Sequence, residues 1–110
     1  MTDCIFCKII KNEVSSKKEY EDQDFIIFHD IKPSAPIHLL IVPKVHFEWQ
    51  GNLEGRQELL GKIFIIAPQI AEKVGIKNSG FKLVMNCGKG AGQIVPHLHF
   101  HLIGGWNRNV

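Results

Sequence analysis

The sequence has no uninterrupted apolar run of about 18 residues or more, so it offers no candidate for a membrane-spanning helix. It also lacks a dense block of one charge. Thirteen Lys and Arg against 11 Asp and Glu leave a net charge of +2 scattered over 110 residues, which gives no footprint for nucleic acid or an anionic membrane surface. Cysteine is scarce and odd in number, three in all, which makes no disulfide framework and fits a reducing compartment. The opening residues, MTDCIFCKII, have neither the basic start nor the apolar stretch and small-residue cleavage site of a secretory leader. A soluble, cytoplasmic protein is expected. No repeat, low-complexity tract or linker divides the chain, and its length suits one core, so residues 1–110 are expected to form a single domain.

The elements read in order. Ile5 to Ile10 can form a short helix or turn. Lys17 to Glu21 reads as a polar edge strand, and Asp22-Gln23-Asp24 supplies turn chemistry before the apolar run Phe25 to His29, which together predict a hairpin. Lys32 to Pro36 is a loop, since each proline pushes its predecessor into an extended conformation. A buried strand spans Ile37 to Val42 and is closed by Pro43. From Leu53 to Val74 the apolar residues Leu59, Leu60, Ile63, Phe64, Ala67, Ile70, Ala71 and Val74 follow helical steps. Asn52 is placed to cap this helix and Gly75 to end it, with a kink expected at Pro68. Gly80 to Asn86 reads as a strand, Gly88 to Gly92 as a glycine-rich loop, and His97 to Ile103 as a last strand ending at Gly104-Gly105. An α+β fold follows, an antiparallel sheet with a long helix on one face.

Histidine is the residue in excess, six in this short chain. His97, His99 and His101 alternate with Leu98, Phe100 and Leu102, so in a strand the imidazoles share one face and the apolar set can face the helix. Three readings are open. A solvent-exposed polar face would draw on Lys, Glu, Thr and Ser before three histidines. A three-histidine metal site is opposed by geometry, because side chains at i and i+4 of a strand lie roughly 13 Å apart. An anion site with one imidazole as nucleophile is the third. Cys4-Ile5-Phe6-Cys7 has its own alternatives: two thiolates on one zinc ion, a redox dithiol, or reduced cysteines acting as small hydrophobes. The glycine-rich loop has no Lys-Ser/Thr ending and no helix after it, so it is neither a P-loop nor a dinucleotide fingerprint.

The His-x-His-x-His pattern resembles the signature of the histidine-triad (HIT) superfamily. Similar stretches are Phe28-His29-Asp30-Ile31, Pro36-Ile37-His38 through Pro43-Lys44-Val45-His46, the Asn86 to Gln93 loop and the terminal Gly104-Gly105. Within the superfamily the chain is similar to the HINT branch of purine nucleoside phosphoramidases. The implied fold is a sheet of about five antiparallel strands with one long and one short N-terminal helix, dimerising into a larger continuous sheet. His99 takes the position of the nucleophile, with its other nitrogen held by the backbone carbonyl of His97. His101 and His38 take positions around the phosphate. Asp30 corresponds to the residue that grips the ribose, and His29, Phe28, Ile31 and Ile10 to the walls around the purine base. Asn86, Gly92 and Gln93 correspond to residues near the phosphate and leaving group.

Several HIT-like proteins pair a CxxC motif with two histidines, which here are His46 and His97. The resemblance therefore implies a structural Zn2+ on Cys4, Cys7, His46 and His97, with no metal required for catalysis. Two departures stand out. A small hydroxyl residue commonly follows Gly-Gln in the branch where this chain has Ile94, and the C-terminal tail is short. The implied activity is hydrolysis of a nucleoside phosphoramidate or acyl-adenylate through a nucleotidyl-histidine, with a purine nucleotide substrate and a homodimeric state. The alternatives are a Fhit-like dinucleoside polyphosphate hydrolase and a nucleotide-sensing scaffold with incidental turnover. A nucleotidyltransferase is disfavoured because that branch carries glutamine where this chain has His101.

Overall fold

The structure, a computed structural model, describes residues 4–106. The short C-terminal tail therefore falls mostly outside the described residues, at 107–110. Cys4 opens the first helix, α1 (Ile5–Ile10), by accepting the Cys7 N–H on its sulfur at 3.4 Å. The predicted hairpin forms from β1 (Lys18–Glu21) and β2 (Phe25–His29). Its turn is built by Asp22, whose Oδ1 accepts the N–H groups of Asp24 and Phe25 at 2.7 and 2.8 Å, the self-bonding that makes Asp a turn former. β3 (Ile37–Pro43) follows, then α2 (Gln57–Lys73), β4 (Phe81–Val84) and β5 (Phe100–Gly104). The five strands lie in the order β1-β2-β3-β5-β4 with every neighbouring pair antiparallel.

Both faces of this sheet are covered. Phe25, Ile27, Leu39, Ile41, Leu98, Phe100 and Leu102 pack with Ile63, Ile66, Ala67 and Ile70 of α2. The alternate residues Ile26, Phe28, Leu40 and Val42 pack with Phe6 and Ile9 of α1. A strand buried on both sides needs an unbroken apolar run, and the sequences Phe-Ile-Ile-Phe and Leu-Leu-Ile-Val supply it. Each such side chain contributes about 1.5–3 kcal/mol on burial, so six residues of α1 are held by tertiary packing, not by helix propensity.

Three boundaries differ from the sequence expectation. The α-helix starts at Gln57, not Leu53, because Arg56 N–H closes onto Leu53 O in a 3-10 turn over Glu54–Arg56. Gly55 weakens the α preference there, while Asn52 Oδ1 caps the turn by accepting Gly55 N–H at 3.1 Å. The helix then runs through Pro68 as one element. It ends as expected, with Gly75 at φ +84° and Ile76 N–H bonded to Ala71 O at 2.9 Å, a Schellman closure. The second difference is at β4, which is shorter than Gly80 to Asn86. The third is at β5, which begins at Phe100, not His97. Continuing the β3–β5 register past Ile41 and Phe100 places Leu98 opposite Pro43, which has no N–H to give. Leu98 N–H bonds instead to Phe47 O at 2.7 Å.

At the other end of β5, a methyl group on Gly104 would lie 2.9 Å from both Gly80 O and Ile76 Cδ1. Gly104→Ala is expected to destabilise the protein by about 1–3 kcal/mol through this overpacking, read as a lower urea midpoint. An unchanged midpoint would mean that the turn around Gly80 yields without cost.

Candidate active site

Although β5 starts late, the alternation persists through the extended segment before it: Leu98 lies in the α2-facing core, while His97 and His99 lie against α1. His97 is fully buried. Its Nε2 donates to the Pro43 carbonyl at 2.8 Å, which leaves Nδ1 unprotonated. His99 Nδ1 lies 2.7 Å from the His97 carbonyl, and only an N–H makes a bond there. The proton of neutral His99 is therefore on Nδ1, and Nε2 carries a free lone pair.

A second chain of directed protons approaches from β3. Ser34 N–H lies 3.0 Å from His38 Nδ1, so the neutral His38 proton is on Nε2. That nitrogen is 2.8 Å from His101 Nδ1, which must accept, leaving the His101 proton on Nε2; the neighbouring Asn86 Nδ2, 3.5 Å away, is itself a donor and does not accept it. Burial, reinforced by the neighbouring His99 and His38 imidazoles, lowers the pKa of His101 to about 4. Burial also lowers His97 to about 4 and depresses His99. At neutral pH the triad is uncharged, which removes the repulsion that three adjacent imidazolium groups would suffer.

His99 and His101 open onto a cavity of about 420 Å³, within the usual size for a small-ligand site, while His97, His38 and Asn86 stand behind its lining. His99, His101 and Gly92 line one part of it, and His29, Asp30 and Ile31 another. Phe6, Ile9, Phe28, Leu40 and Val95 give it an apolar lining. Asp30 uses Oδ1 to accept Lys32 N–H at 2.9 Å and turns Oδ2 toward His38 Nε2 at 3.4 Å. His29 Nε2 is bonded to Glu19 at 2.7 Å.

Not every anticipated residue reaches this space. Ile10 packs behind the lining, and Ile9 takes the place at the cavity. Gln93 turns its side chain into its own loop, accepting Gly88 N–H at 2.8 Å and donating to Val95 O at 3.1 Å, so it braces the backbone and does not line the cavity. Gly88 and Gly92 hold φ values of +92° and +94° in that loop, where a side chain would be strained. His38 contributes through His101. Sequence reasoning missed Phe6, whose ring stands edge-on to His99 at 4.9 Å, and Ser34. A helical reading of Ile5 to Ile10 carries a signal for the first, and nothing local points to the second.

A third set of donors lies next to the triad. Cys4 Sγ and Cys7 Sγ are 3.4 and 3.7 Å from His97 Nδ1, and His46 Nδ1 is 3.2 Å from Cys7 Sγ. All four donor atoms lie within 4.8 Å of one another. Around a tetrahedral zinc ion, neighbouring sulfur and nitrogen atoms sit about 3.6 Å apart, so the spacing fits, and the unprotonated His97 Nδ1 points the right way. Cys87 is exposed and apart from this set. Asp30, His38 and His101 also cluster within 4.8 Å, but the facing nitrogens of the two histidines are already hydrogen-bonded to each other.

The fold and site together define a small-ligand cavity lined by neutral imidazoles at the N-terminal end of β5, an interior strand of an antiparallel sheet. Residues 11–108 match the model of the HIT domain family. The chain is 47% identical over 105 residues to Protein HitA of Neisseria gonorrhoeae, covering 94% of this chain and 97% of that protein. It is 39% identical over 104 residues to the purine nucleoside phosphoramidase of Escherichia coli (strain K12), covering 94% and 87%. A solved HIT family hydrolase from Clostridium thermocellum superposes with a TM-score of 0.93 at 43% identity, over 100% of this chain and 96% of that one. The chain belongs to the HIT domain family.

The depressed histidines make stability depend on pH. For His97 and His101 the folded-state value is about 4 against an ordinary 6.5, so between those values the unfolded chain binds protons that the folded chain refuses. Their contribution is present above about pH 6.5 and lost as pH falls toward 4. In metal-free protein the urea midpoint is expected to hold above pH 7 and to fall steadily at pH 6 and 5. A midpoint constant from pH 7.5 to 5 would contradict burial as the dominant influence.

Proposed function

We propose that this HIT-family hydrolase, read as one domain over residues 1–110, cleaves the P–N bond of purine nucleoside 5'-phosphoramidates or the related bond of acyl-adenylates. The observation that carries the reading is the His99 Nδ1–H held by the His97 carbonyl at 2.7 Å, which leaves Nε2 unprotonated on a residue that lines an apolar cavity. In this reading Nε2 forms a bond to the α-phosphorus as the P–N bond breaks, and the departing nitrogen is protonated to leave as the amine. Water then displaces His99 from the nucleotidyl-histidine and releases the nucleoside monophosphate, replacing one hard displacement by two easier ones. His101 Nε2–H, aligned by His38, donates to a non-bridging oxygen as charge develops on it.

The other residues take roles that their placement supports. Asp30 Oδ2 accepts from the ribose hydroxyls, and Phe28, His29 and Ile31 stand against the base. Asn86 and the backbone at Gly92 border the phosphate, with Gln93 holding the loop that presents them. Ile94 lines the cavity and is 90% exposed, so it meets the leaving group with an apolar surface and no hydrogen-bond donor. Cys4, Cys7, His46 and His97 hold a zinc ion, which supplies a cross-link between α1 and the histidine segment and takes no part at phosphorus.

The reading is tested with a fluorogenic adenosine phosphoramidate, comparing wild type with His99→Ala and examining the intact wild-type protein by mass spectrometry. Turnover is expected to fall by a factor on the order of 10³ or more in the variant, AMP binding to stay within a few-fold, and the wild type to gain the mass of one nucleoside monophosphate. Faster hydrolysis of diadenosine polyphosphates than of any phosphoramidate would move the assignment to those substrates.

The same reading includes a homodimer. Phe64 and Ile65 of α2 are 60% and 67% exposed, and β4 is an edge strand of the sheet, an apolar and hydrogen-bonding surface that a second copy would cover. Light scattering is expected to give twice the chain mass, and Phe64→Glu with Ile65→Glu to give the monomer. A wild-type monomer at micromolar concentration would remove the dimer from the proposal.

A further inference from the structure

The Cys4-Ile5-Phe6-Cys7 segment faces two sites at once. Its two sulfurs reach His97 Nδ1 at 3.4 and 3.7 Å, while the two residues between them, Ile5 and Phe6, line the cavity. The Phe6 ring meets His99 edge-on, with centroids 4.9 Å apart and planes at 82°, and meets His97 at 5.8 Å and 72°. His97 in turn holds the His99 Nδ1–H on its carbonyl. The cluster therefore touches the nucleophile along two short routes, one through the His97 backbone and one through the Phe6 ring.

We propose that metal bound by Cys4, Cys7, His46 and His97 positions His99 and the α1 wall of the cavity, making these four side chains positioning residues of the hydrolase as well as a staple on its fold. The inference rests on the reading of His99 as the reacting group. Its physical basis is the weakness of what fixes the Cys4–Cys7 end of α1 to His97 without an ion, since the packing of Phe6 and Ile9 keeps the helix on the sheet but makes no hydrogen bond to His97. A helix of six residues is too short to persist alone, and thiols make only weak hydrogen bonds. Metal–thiolate and metal–imidazole bonds replace these weak contacts with directed ones. His97 has no freedom to compensate, because its Nε2 is already fixed by Pro43 O. Releasing Nδ1 and both sulfurs leaves the residue whose carbonyl sets the His99 tautomer with its ring anchored at Pro43 alone, and it leaves the helix that carries Ile5, Phe6 and Ile9 to the cavity on non-directional apolar contacts. His46 does not line that cavity, so its substitution reaches the nucleotide only through the cluster.

The test uses the full chain loaded with zinc and the same chain after chelation, with two readouts independent of turnover. One is AMP affinity by calorimetry, and the other is the His99 Nδ1–H resonance in 15N-resolved NMR. Chelation is expected to weaken AMP binding tenfold or more and to broaden or shift the His99 signal, while the amide signals of α2 and β2 stay in place. His46→Ala is expected to reproduce the chelated state even with zinc present. His46→Cys, which restores four ligands, is expected to recover AMP affinity to within threefold of wild type. The proposal is overturned if wild type takes up no zinc, or if AMP affinity and the His99 signal agree within twofold and in position with and without metal. Should AMP fail to bind the zinc-loaded protein, the nucleotide reading falls, and the His99 resonance alone still decides whether metal positions the imidazole.

Discussion

The hydrogen bonds around one buried imidazole, that of His97, organise the rest of the site. Its Nε2 is tied to the carbonyl that ends β3, its Nδ1 faces two cysteines at the start of the chain, and its own carbonyl takes the Nδ1–H of His99. Each bond specifies the next, because a neutral imidazole has one donor and one acceptor. Donation to Pro43 O makes Nδ1 the acceptor. With the ring fixed in that way, the His97 backbone is held where its carbonyl can orient His99. Pro43 serves twice, since its missing N–H also keeps β5 from extending back to Leu98 and leaves the 97–99 segment free to take its own course.

The electrostatics follow from the same burial. Three histidines in solution at neutral pH would be partly charged and would repel one another. Inside this protein desolvation lowers each of them, and proximity to the others lowers His97 and His101 further. Neutrality then lets the set divide its work by tautomer. His99 shows a lone pair, and His101 shows an N–H. Had the imidazoles been charged, His99 would have no lone pair to offer and His101 no capacity to accept from His38. The chain Ser34 N–H, His38, His101 does at one edge of the triad what the His97 carbonyl does at the centre.

Much of this was legible in the sequence where the determining contacts are local. Asp22 bonds to its own turn, Gly75 ends α2 with backbone bonds two to five residues long, and alternation placed His97, His99 and His101 on one side of the sheet and Leu98, Phe100 and Leu102 on the other. What depends on distant partners was not legible. The late start of β5 comes from Pro43, which lies 54 residues before His97. The exchange of Ile10 for Ile9 at the cavity depends on how Cys4 caps α1 and on which face of one and a half turns meets Leu40 and Val42. Gln93 looked free to reach a ligand because its type and position permit it, yet its carboxamide satisfies backbone groups inside a loop that a strand or helix would otherwise have satisfied.

That last case shows how the polar residues of such a loop are divided. Between β4 and β5 the chain spends more than a dozen residues with only one 3-10 turn, Lys89–Ala91, so many backbone groups have no ladder partner and must find one elsewhere. Gly88 N–H and Val95 O are given to Gln93, Gln93 N–H to Gly88 O, and Leu98 N–H to Phe47 O. Once these bonds are made, the loop has a single course, and Gly92 is brought to the cavity wall with a backbone that no side chain shields. A substitution of Gln93 would act first on that course and only then on anything bound beside Gly92.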